Sequence, residues 1–523
     1  MGNEITYDNA SSAELISPKE PNDSPQAILG GDASDVGCHS NSTQLSALAN
    51  NKNAEILKKY EKDYPVGPHD KPQSMCPAFG SLRVGLRMKR VATVLSGSAC
   101  CVYGLSFVSH FYGARRSVGY VPFNSESLVT GKLFEDIRDA VHDMADPKNY
   151  DAIVVTNLCV PTASGVPLRL LPNEINGVRI IGIDVPGFGV PTHAEAKDIL
   201  AGAMLNFARQ EVEAGPVAAP SSGKSDRPTL AMLGEMFPAD PMVIGSILAP
   251  MDLAAGPVLP AREWREMYAA LDCSAVAAIH PFYTATMREF DAAGRPSIGS
   301  APVGYEGTAS WLESVGEVFG VSKAKISKAK NAVLPNIKKS LKDSKIKGRI
   351  TVSGYEGSEL IVARLLSESG IDVPYVGTAC PRTPMAEQDA QWLEAKGAVV
   401  KFRASLEDDI SAAEALEPDL AIGTTPLVQH FKQKGKSALY FTNLVSARPL
   451  MGQAGVGSFN QLINGVLNNS DKMQSLQNFF EGVGSDDTSG VWEGEPNLRP
   501  EFRAQNQKKL EKAARAAKAA EMI

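Results

Sequence analysis

The sequence predicts an α/β protein built from three Rossmann-like units with parallel sheets. Short apolar runs alternate with helical stretches in three successive series, which is the pattern of βα units whose sheets are covered on both faces. The length of 523 residues predicts two to four domains. With 43% hydrophobic and 21% charged residues, the composition is that of a globular protein that buries a sizeable core.

Charge and hydropathy exclude several classes of function. A net charge of -7 argues against a nucleic-acid binder, which would show a basic footprint. No apolar run approaches the ~20 residues needed for a transmembrane segment, and the N-terminus lacks the features of a secretory signal. The seven cysteines are odd in number and unevenly spaced, so no disulfide framework is expected. We therefore expect a cytoplasmic protein.

The first βα series is predicted at residues 53–225, after a mobile N-terminal extension at residues 1–52. The extension is rich in Asn, Ser, Asp and Gly and has no apolar period, which is typical of a segment without a core. A Pro/Ala/Gly/Ser linker from Gly215 to Ser225 closes the unit. Its predicted strands and helices are Val91–Leu95, Val102–Phe111, Ala152–Val155, Arg179–Ile183 and a helix from about His193 to Arg209.

Two further series are predicted at residues 226–348 and 349–442, before a C-terminal helical region and tail at residues 443–523. The basic segment Lys323–Arg349 carries ten Lys and Arg against one Asp. It is predicted to be a linking helix with a solvated face, and the alternative is a docking face for an acidic partner. The tail from Arg499 is rich in Ala and Lys and is predicted to be helical. The predicted strands are Leu230–Leu233, Ala275–Ile279, Ser297–Ala301, Ile350–Val352, Tyr375–Val376, Val399–Phe402, Leu420–Ile422 and Ala438–Phe441.

The second and third series share a short internal echo. The segments Gly304-Tyr305-Glu306-Gly307-Thr308 and Gly354-Tyr355-Glu356-Gly357-Ser358 each precede an apolar helical pattern. We interpret each as a strand-to-helix turn with a hydroxyl at the helix cap. The echo supports repeated Rossmann-like units.

Four of the seven cysteines lie in one part of the first series: Cys76, the pair Cys100-Cys101, and Cys159. The pair and Cys159 each follow a predicted strand. Because loops at the carboxyl ends of parallel strands converge at one edge of a sheet, these segments could bring three thiolates together. The sequence therefore predicts a metal site at this edge, with an iron–sulfur cluster as its occupant.

The alternative is that these cysteines only pack, as many free cysteines do. The Gly, Ser, Pro and Asn residues around all three sites favour loops over core strands. The absence of a CxxC pair excludes zinc ribbons and bacterial-type ferredoxin runs. Three cysteines are one short of the usual four-thiolate shell, which indicates that a partner chain supplies the fourth ligand.

Several familiar motifs are incomplete. Gly223-Lys224-Ser225 ends like a phosphate-binding loop, but Ala218 stands where that motif needs glycine, so no ATP binding is expected. Gly187-Phe188-Gly189 has Thr192 where a dinucleotide fingerprint needs its third glycine, and we interpret it as a turn over the cluster. Cys273 is expected to be structural, beside a strand. The histidines without ligand spacing are interpreted as structural: His110, His193 and His280.

The segments Pro72–Arg83 and Gly97–Gly104 closely resemble the nitrogenase-like superfamily and, within it, the Y-type subunits of the chlorophyllide a reductase family. The resemblance covers roughly residues 70 to 480. It implies the nitrogenase MoFe-protein-like fold of three Rossmann-like domains. It also implies a subunit of an α2β2 heterotetramer, formed with a homologous Z subunit.

The resemblance also implies a ligand set and a reaction. The family's cluster cysteines fall on Cys76, Cys101 and Cys159, because the second lies in a Gly-x-x-x-Cys-x-Tyr setting that selects Cys101 over Cys100. They would hold a [4Fe-4S] cluster at the interface with the Z subunit. A separate ATP-hydrolysing iron–sulfur reductase, subunit X, would deliver the electrons. The substrate would be chlorophyllide a, reduced at the C7=C8 bond of ring B. The sequence identifies neither a proton donor nor the residues that contact the pigment.

Three other interpretations stay open from the sequence. The nearest is the corresponding subunit of dark-operative protochlorophyllide reductase, which acts on ring D. The second is a non-catalytic scaffold of the same fold that assembles metal clusters. The third is a metal-free ligand-binding protein of paired Rossmann lobes, in which the cysteines only pack.

Overall fold

The computed structural model describes residues 76–108, 118–217, 226–234, 240–446 and 449–470, together with residues 472, 508, 511 and 512. The predicted N-terminal extension, Cys38 and the sequence Gly223-Lys224-Ser225 lie outside these residues. In the part of the chain that is described, no helix is long and apolar enough to cross a membrane.

Fourteen strands of the described residues form three sheets. The first sheet has the order β2-β1-β3-β5-β4, the second β7-β6-β8-β9, and the third β12-β11-β10-β13-β14. All pairs are parallel except β4 with β5. The strands are β1 Val91–Gly97, β2 Val118–Pro122, β3 Ala152–Asn157, β4 Glu174–Ile175, β5 Val178–Asp184, β6 Thr229–Leu233, β7 Ala254–Leu259, β8 Ala275–Ala278, β9 Ser297–Ile298, β10 Arg349–Gly354, β11 Asp372–Thr378, β12 Val399–Phe402, β13 Leu420–Gly423 and β14 Ala438–Tyr440.

Seventeen α-helices of the described residues connect and cover these strands. They are α1 Ala78–Arg87, α2 Ala99–Val108, α3 Ser125–Val129, α4 Lys132–Met144, α5 Cys159–Ala163, α6 His193–Ala214, α7 Pro241–Leu248, α8 Trp264–Leu271, α9 Thr284–Ala292, α10 Tyr305–Val318, α11 Lys323–Asp343, α12 Glu359–Glu368, α13 Glu387–Ala395, α14 Leu406–Leu416, α15 Thr425–Gln433, α16 Phe441–Ser446 and α17 Gly452–Leu467. The prediction of an α/β protein with three parallel-sheet units is confirmed.

The three sheets are packed into shared cores. Leu230 and Met232 of β6 belong to a core that also contains residues of the third sheet, whereas Ala231 and Leu233 belong to the core shared with the first sheet. This follows from the period of two along a strand, which sends successive side chains to opposite faces. The second sheet therefore lies between the other two.

Strands β2, β4 and β7 were not predicted, and all three lie at sheet edges. Strand β4 has only two residues, and the sequences of β2 and β7, Val-Gly-Tyr-Val-Pro and Ala-Ala-Gly-Pro-Val-Leu, contain the Gly and Pro that usually mark turns. Proline lacks an amide hydrogen and is tolerated in a sheet mainly at an edge. The edge positions of β2 and β7 therefore explain how these strands tolerate the turn-like composition that kept them from being predicted.

The basic segment forms α11, as predicted. Ala329, Leu334 and Ile337 of this helix are buried, and Lys325 pairs with Asp252 at 2.7 Å. Of the predicted tail helix, the described residues 508, 511 and 512 are helical.

The expectation of a hydroxyl at the helix cap is wrong for the first copy of the echo and right only in position for the second. Thr308 lies inside α10, where its hydroxyl donates to the Gly304 carbonyl at 2.6 Å. Ser358 occupies the N-cap position of α12, but its side chain makes no cap hydrogen bond. The carboxylate of Glu359 instead accepts the amide hydrogens of Glu356 and Gly357, at 2.8 and 2.9 Å.

Candidate metal centre

Two of the predicted ligand cysteines follow neighbouring strands of the first sheet. Strands β1 and β3 run parallel, with Ser96 opposite Asn157. Cys101 lies in the first turn of α2, shortly after β1 ends, and Cys159 is the first residue of α5, directly after β3. Both side chains are half-buried. The structure therefore places them at the same carboxyl edge, as predicted from the order of strands and loops.

Cys76 reaches this edge through a tertiary contact. It precedes α1, and its carbonyl oxygen lies 2.9 Å from Nε2 of His193, the first residue of α6. Helix α6 follows β5, the neighbour of β3 in the sheet. A Cβ atom on Gly80 would lie 2.0 Å from the His193 carbonyl oxygen, so α1 and α6 are in backbone contact there. This close packing holds the Cys76 segment at the sheet edge.

The turn Gly187-Phe188-Gly189 contacts Cys159. The amide of Gly187 donates a hydrogen bond to the Cys159 sulfur at 3.0 Å. A Cβ atom at position 187 would lie 3.4 Å from the same sulfur. Hydrogen bonds to sulfur are one of the means by which proteins tune iron–sulfur clusters. The environment of Cys159 is therefore compatible with a cluster ligand.

Cys100 and Cys101 differ in burial. The Cys100 thiol is exposed and lies 3.0 Å from the Ser98 hydroxyl, and this hydrogen bond lowers the pKa of the Cys100 thiol. Cys101 packs against the core that contains the first and second sheets. Adjacent residues on a helix do not face each other. The geometry thus favours Cys101 as the side chain directed inward.

The structure brings the three cysteines to one edge but does not assemble them into a closed site. Among the described residues, no group of three His, Cys, Asp or Glu side chains is arranged so that it could hold a metal ion. Metal ligands must be deprotonated, and a preformed site is not required when binding and folding are coupled. A set of three thiols fits an iron–sulfur cluster in its chemistry and needs one further ligand. The ligand assignment stays a prediction.

Two other cysteines are buried away from solvent. Cys273 donates to the Ala269 carbonyl at 3.3 Å, and burial raises the pKa of its thiol. Cys273 thus lies buried beside β8, as expected, and its structural role stays a prediction. Cys380 donates to the Tyr355 carbonyl at 3.4 Å, and burial raises the pKa of its thiol well above the ordinary value. Neither environment favours the thiolate that a metal requires.

Charged residues buried behind Cys76 were missed by the sequence analysis. Lys197 of α6 pairs with Glu356 at 2.5 Å, with side-chain exposures of 1% and 5%. Arg83 of α1 reaches the other carboxylate oxygen of Glu356 at 3.4 Å. Burial lowers the pKa of the His193 imidazole to about 4 and raises the pKa of the Glu359 carboxyl to about 7. The repeated sequence Gly354–Ser358 identified the loop that contains Glu356 and ends next to Glu359. No feature of the sequence indicated that these side chains are buried.

A cleft of about 960 Å³ opens at the opposite, amino-terminal edge of the first sheet. Arg90 and Asp151, which precede β1 and β3, pair across it at 2.9 Å. Arg179 pairs with Glu211 at 2.6 Å and lies 4.6 Å from the centre of the Trp264 ring. Three ion pairs line the cleft, so it does not match the large apolar pocket that a tetrapyrrole needs.

Comparisons with known proteins agree with this architecture. The profile of the nitrogenase component 1 type oxidoreductases matches residues 76–468. The chain is 70% identical over 488 residues to the "Chlorophyllide reductase 52.5 kDa chain" of Cereibacter sphaeroides, covering 93% of this chain and 97% of the relative. It is 68% identical to the protein of the same name from Rhodobacter capsulatus, covering 93% and 98% of the two chains.

More distant proteins are similar in sequence or in fold. The "Light-independent protochlorophyllide reductase subunit N" of Bradyrhizobium sp. is 24% identical over 57% of this chain and 68% of its own length. A solved structure titled "Nitrogenase Cp1 at pH 5" aligns with a TM-score of 0.57 at 15% identity, covering 76% of this chain and 89% of its own. Because the profile spans most of the described residues and the first two relatives are aligned over nearly their whole length, the chain belongs to the nitrogenase component 1 type oxidoreductase family.

Proposed function

We propose that this chain is the Y-type catalytic subunit of chlorophyllide a reductase. The observation that carries the proposal is the placement of Cys76, Cys101 and Cys159 at one sheet edge in a chain that is 70% identical to a protein named as a chlorophyllide reductase chain. The reaction is the two-electron reduction of the C7=C8 bond in ring B of chlorophyllide a. It is a step of bacteriochlorophyll biosynthesis and takes place in the cytoplasm.

In this proposal Cys76, Cys101 and Cys159 supply three ligands of a [4Fe-4S] cluster. When bound, such a cluster supplies single electrons at low potential. The Gly187 amide, 3.0 Å from the Cys159 sulfur, stabilises the thiolate form by donating to it. The backbone contact between α1 and α6 fixes the position of the Cys76 segment.

The fourth ligand comes from a homologous Z subunit, in an α2β2 assembly. Two exposed aromatic side chains near the cysteines support a partner at this edge. Tyr103, two residues after Cys101, is 78% exposed, and Phe188, in the turn on Cys159, is 51% exposed. An exposed apolar patch is typical of a protein interface, and each of these rings is close in sequence to a predicted ligand or lies in a turn that contacts one. The partner would cover both rings and exclude water from the pigment.

Electrons come from a separate ATP-hydrolysing iron–sulfur reductase, subunit X, which docks transiently. The sequence supports this division of labour because its one phosphate-loop-like segment lacks the required glycine at position 218. This chain therefore binds no ATP itself in the proposed mechanism. Water must be kept from the reduced pigment, and a closed pocket between the two homologous subunits would do so.

The test is an anaerobic turnover assay of this chain co-purified with its homologous partner, with the reductase and ATP added. We expect chlorophyllide a to be reduced at C7=C8 and protochlorophyllide to be left unreduced. Omitting the reductase or ATP is the matched control and should abolish turnover. Preferential reduction of protochlorophyllide at ring D would refute the proposal. So would transfer of the cluster to an acceptor without any pigment turnover, which is the behaviour of a scaffold.

Reduction of protochlorophyllide is the second candidate. The observation that favours it is the similarity to the "Light-independent protochlorophyllide reductase subunit N" of Bradyrhizobium sp.. That similarity is 24% identity over 57% of this chain, against 70% over 93% for the chlorophyllide reductase chain. The pigment assay separates the two.

A further inference from the structure

The loop between β10 and α12 carries a carboxylate that reaches into the first unit. Glu356 pairs with Lys197 of α6 at 2.5 Å through one oxygen and with Arg83 of α1 at 3.4 Å through the other. The two cations lie on the two helices that hold the Cys76 segment. One side chain of the third unit thus contacts both supports of a predicted cluster ligand.

The position of this carboxylate is fixed from several sides. Gly357, with φ of 82°, packs so tightly that a Cβ atom there would lie 2.4 Å from the Phe282 ring of the second unit. The Tyr355 ring meets the His193 ring edge-on, with centroids 5.2 Å apart. The backbone amide of Glu356 donates to the Glu359 carboxylate. The loop therefore joins all three units, and Glu356 has little freedom to move.

A short chain of contacts leads from Glu356 to Cys76. Lys197 lies one helical turn after His193, and Nε2 of His193 is 2.9 Å from the Cys76 carbonyl oxygen. On the other side, Arg83 lies in α1, which begins two residues after Cys76. A buried cation such as Lys197 needs a charged partner, so loss of the carboxylate would drive α6 to readjust.

We propose that Glu356 is a positioning residue for Cys76. Its carboxylate holds α1 and α6 together and so keeps the Cys76 segment at the sheet edge where a cluster would bind. The inference rests on the proposed function for the role of Cys76 as a ligand. It assigns to the third unit a direct part in shaping the metal centre of the first.

A purely structural ion pair would stabilise the fold without acting on Cys76 in particular. The chain offers a matched control at the far end of the same helix. Arg209 of α6 pairs with Glu289 of α9 at 2.9 Å, so this pair also joins two units. Its side chains are 20% and 18% exposed, and it lies four turns away from His193. Glu289→Gln should weaken packing between units without changing the Cys76 segment.

The first experiment measures thiol reactivity in the full chain purified without iron. Rates of alkylation by iodoacetamide are followed by peptide mass spectrometry at Cys76 and Cys159. We expect Glu356→Gln to raise the rate at Cys76 by roughly tenfold, because local opening of the segment becomes easier. The rate at Cys159 should change by less than about twofold, and Glu289→Gln should leave both rates within about twofold of the wild type. Equal increases at the two cysteines, or an increase at Cys76 with Glu289→Gln, would overturn the proposal.

Glu356→Asp is a second variant that keeps the test informative if Glu356→Gln does not fold. It keeps the charge that Lys197 requires, but it shortens the side chain by one methylene, so Arg83 and Lys197 are not reached together. We expect normal yield and a smaller rise in Cys76 alkylation than with Glu356→Gln. An unchanged rate at Cys76 in folded Glu356→Asp and Glu356→Gln would overturn the proposal.

A second readout uses the co-purified complex. The electron paramagnetic resonance spectrum of the reduced complex should change in Glu356→Gln and stay as in the wild type in Glu289→Gln. Identical spectra in all three proteins would overturn the positioning role. A wild-type complex without iron would refute the proposed function, whereas the alkylation rates would still decide whether Glu356 positions the Cys76 segment.

Discussion

Two buried titratable groups, His193 at the Cys76 segment and Glu359 beside the loop that holds Glu356, should act on the free energy of unfolding with opposite dependence on pH. Burial lowers the pKa of His193 from its ordinary value of 6.5 to about 4 in the folded protein. Folding therefore favours the neutral imidazole. Stability from this group is fully present above pH 6.5 and is lost as the pH falls towards 4, by about 3 kcal/mol in total.

The contribution of Glu359 to stability depends on pH in the opposite direction. Burial raises the pKa of its carboxyl from 4.5 to about 7, although two backbone amides and the Thr378 hydroxyl donate to it. Folding therefore favours the protonated acid. Stability from this group is fully present below pH 4.5 and is lost as the pH rises towards 7, again by about 3 kcal/mol.

The two contributions cancel between about pH 4.5 and 6.5 in the wild type, and single variants should reveal them. In His193→Gln the remaining Glu359 makes stability fall, relative to the wild type, as the pH rises through this window. In Glu359→Gln the remaining His193 makes it rise. The replaced hydrogen bonds add a constant cost that does not depend on pH, so the slopes identify the titrating group.

The assay is equilibrium urea unfolding from pH 4 to 8, with each variant compared with the wild type at every pH. Groups common to both proteins drop out of the difference. We expect differences that change by about 3 kcal/mol across the window, with opposite slopes for the two variants. A flat difference for either variant, or slopes of the same sign, would refute the assignment of a neutral His193 and a protonated Glu359 to the folded state.

Three further predictions concern packing. Gly80→Ala should lower the stability measured by thermal unfolding by several kcal/mol, because its Cβ would lie 2.0 Å from the α6 backbone. Gly104→Ala, whose Cβ has nothing within 4 Å, should be neutral or stabilising by about 0.5 kcal/mol. Equal effects of the two substitutions would contradict the packing of α1 on α6. Cys273→Ala should lose about 1 kcal/mol of stability and keep the iron of the complex, and iron loss would contradict its structural role. Lys197→Met should lower the free energy of urea unfolding by about 3–5 kcal/mol, because Glu356 stays buried with one fewer cation. Adding Glu356→Leu should restore most of that stability. No restoration would show that the two charges do not couple.

The sheet edge was predictable because local sequence determines it. All six residues of β3 are buried, and its continuous apolar run could be identified without a structure. Once β1 and β3 are parallel neighbours, the first turn of α2 with Cys101 and the start of α5 with Cys159 must lie side by side. The strands missed were β2, β4 and β7, which all lie at sheet edges. Strand β4 has only two residues, and β2 and β7 contain Gly and Pro that are typical of turns.

The supports of Cys76 were not predictable in the same way. Its position depends on the contact with His193, which is 117 residues away in the chain. Lys197 and Glu356 are 159 residues apart and belong to residue types that are almost never fully buried. A sequence pattern predicts such residues at the surface, and only tertiary packing shows that they pair inside.

The most direct test of the central claim is the iron and sulfide content of the anaerobically co-purified complex carrying single cysteine variants. Cys76→Ala, Cys101→Ala and Cys159→Ala should each lose the cluster and the reductase activity. Cys100→Ala, which removes the exposed neighbour of Cys101, should retain both. Full iron content in any of the first three variants would contradict the ligand set. Loss of iron in Cys100→Ala but not in Cys101→Ala would place the second ligand one residue earlier.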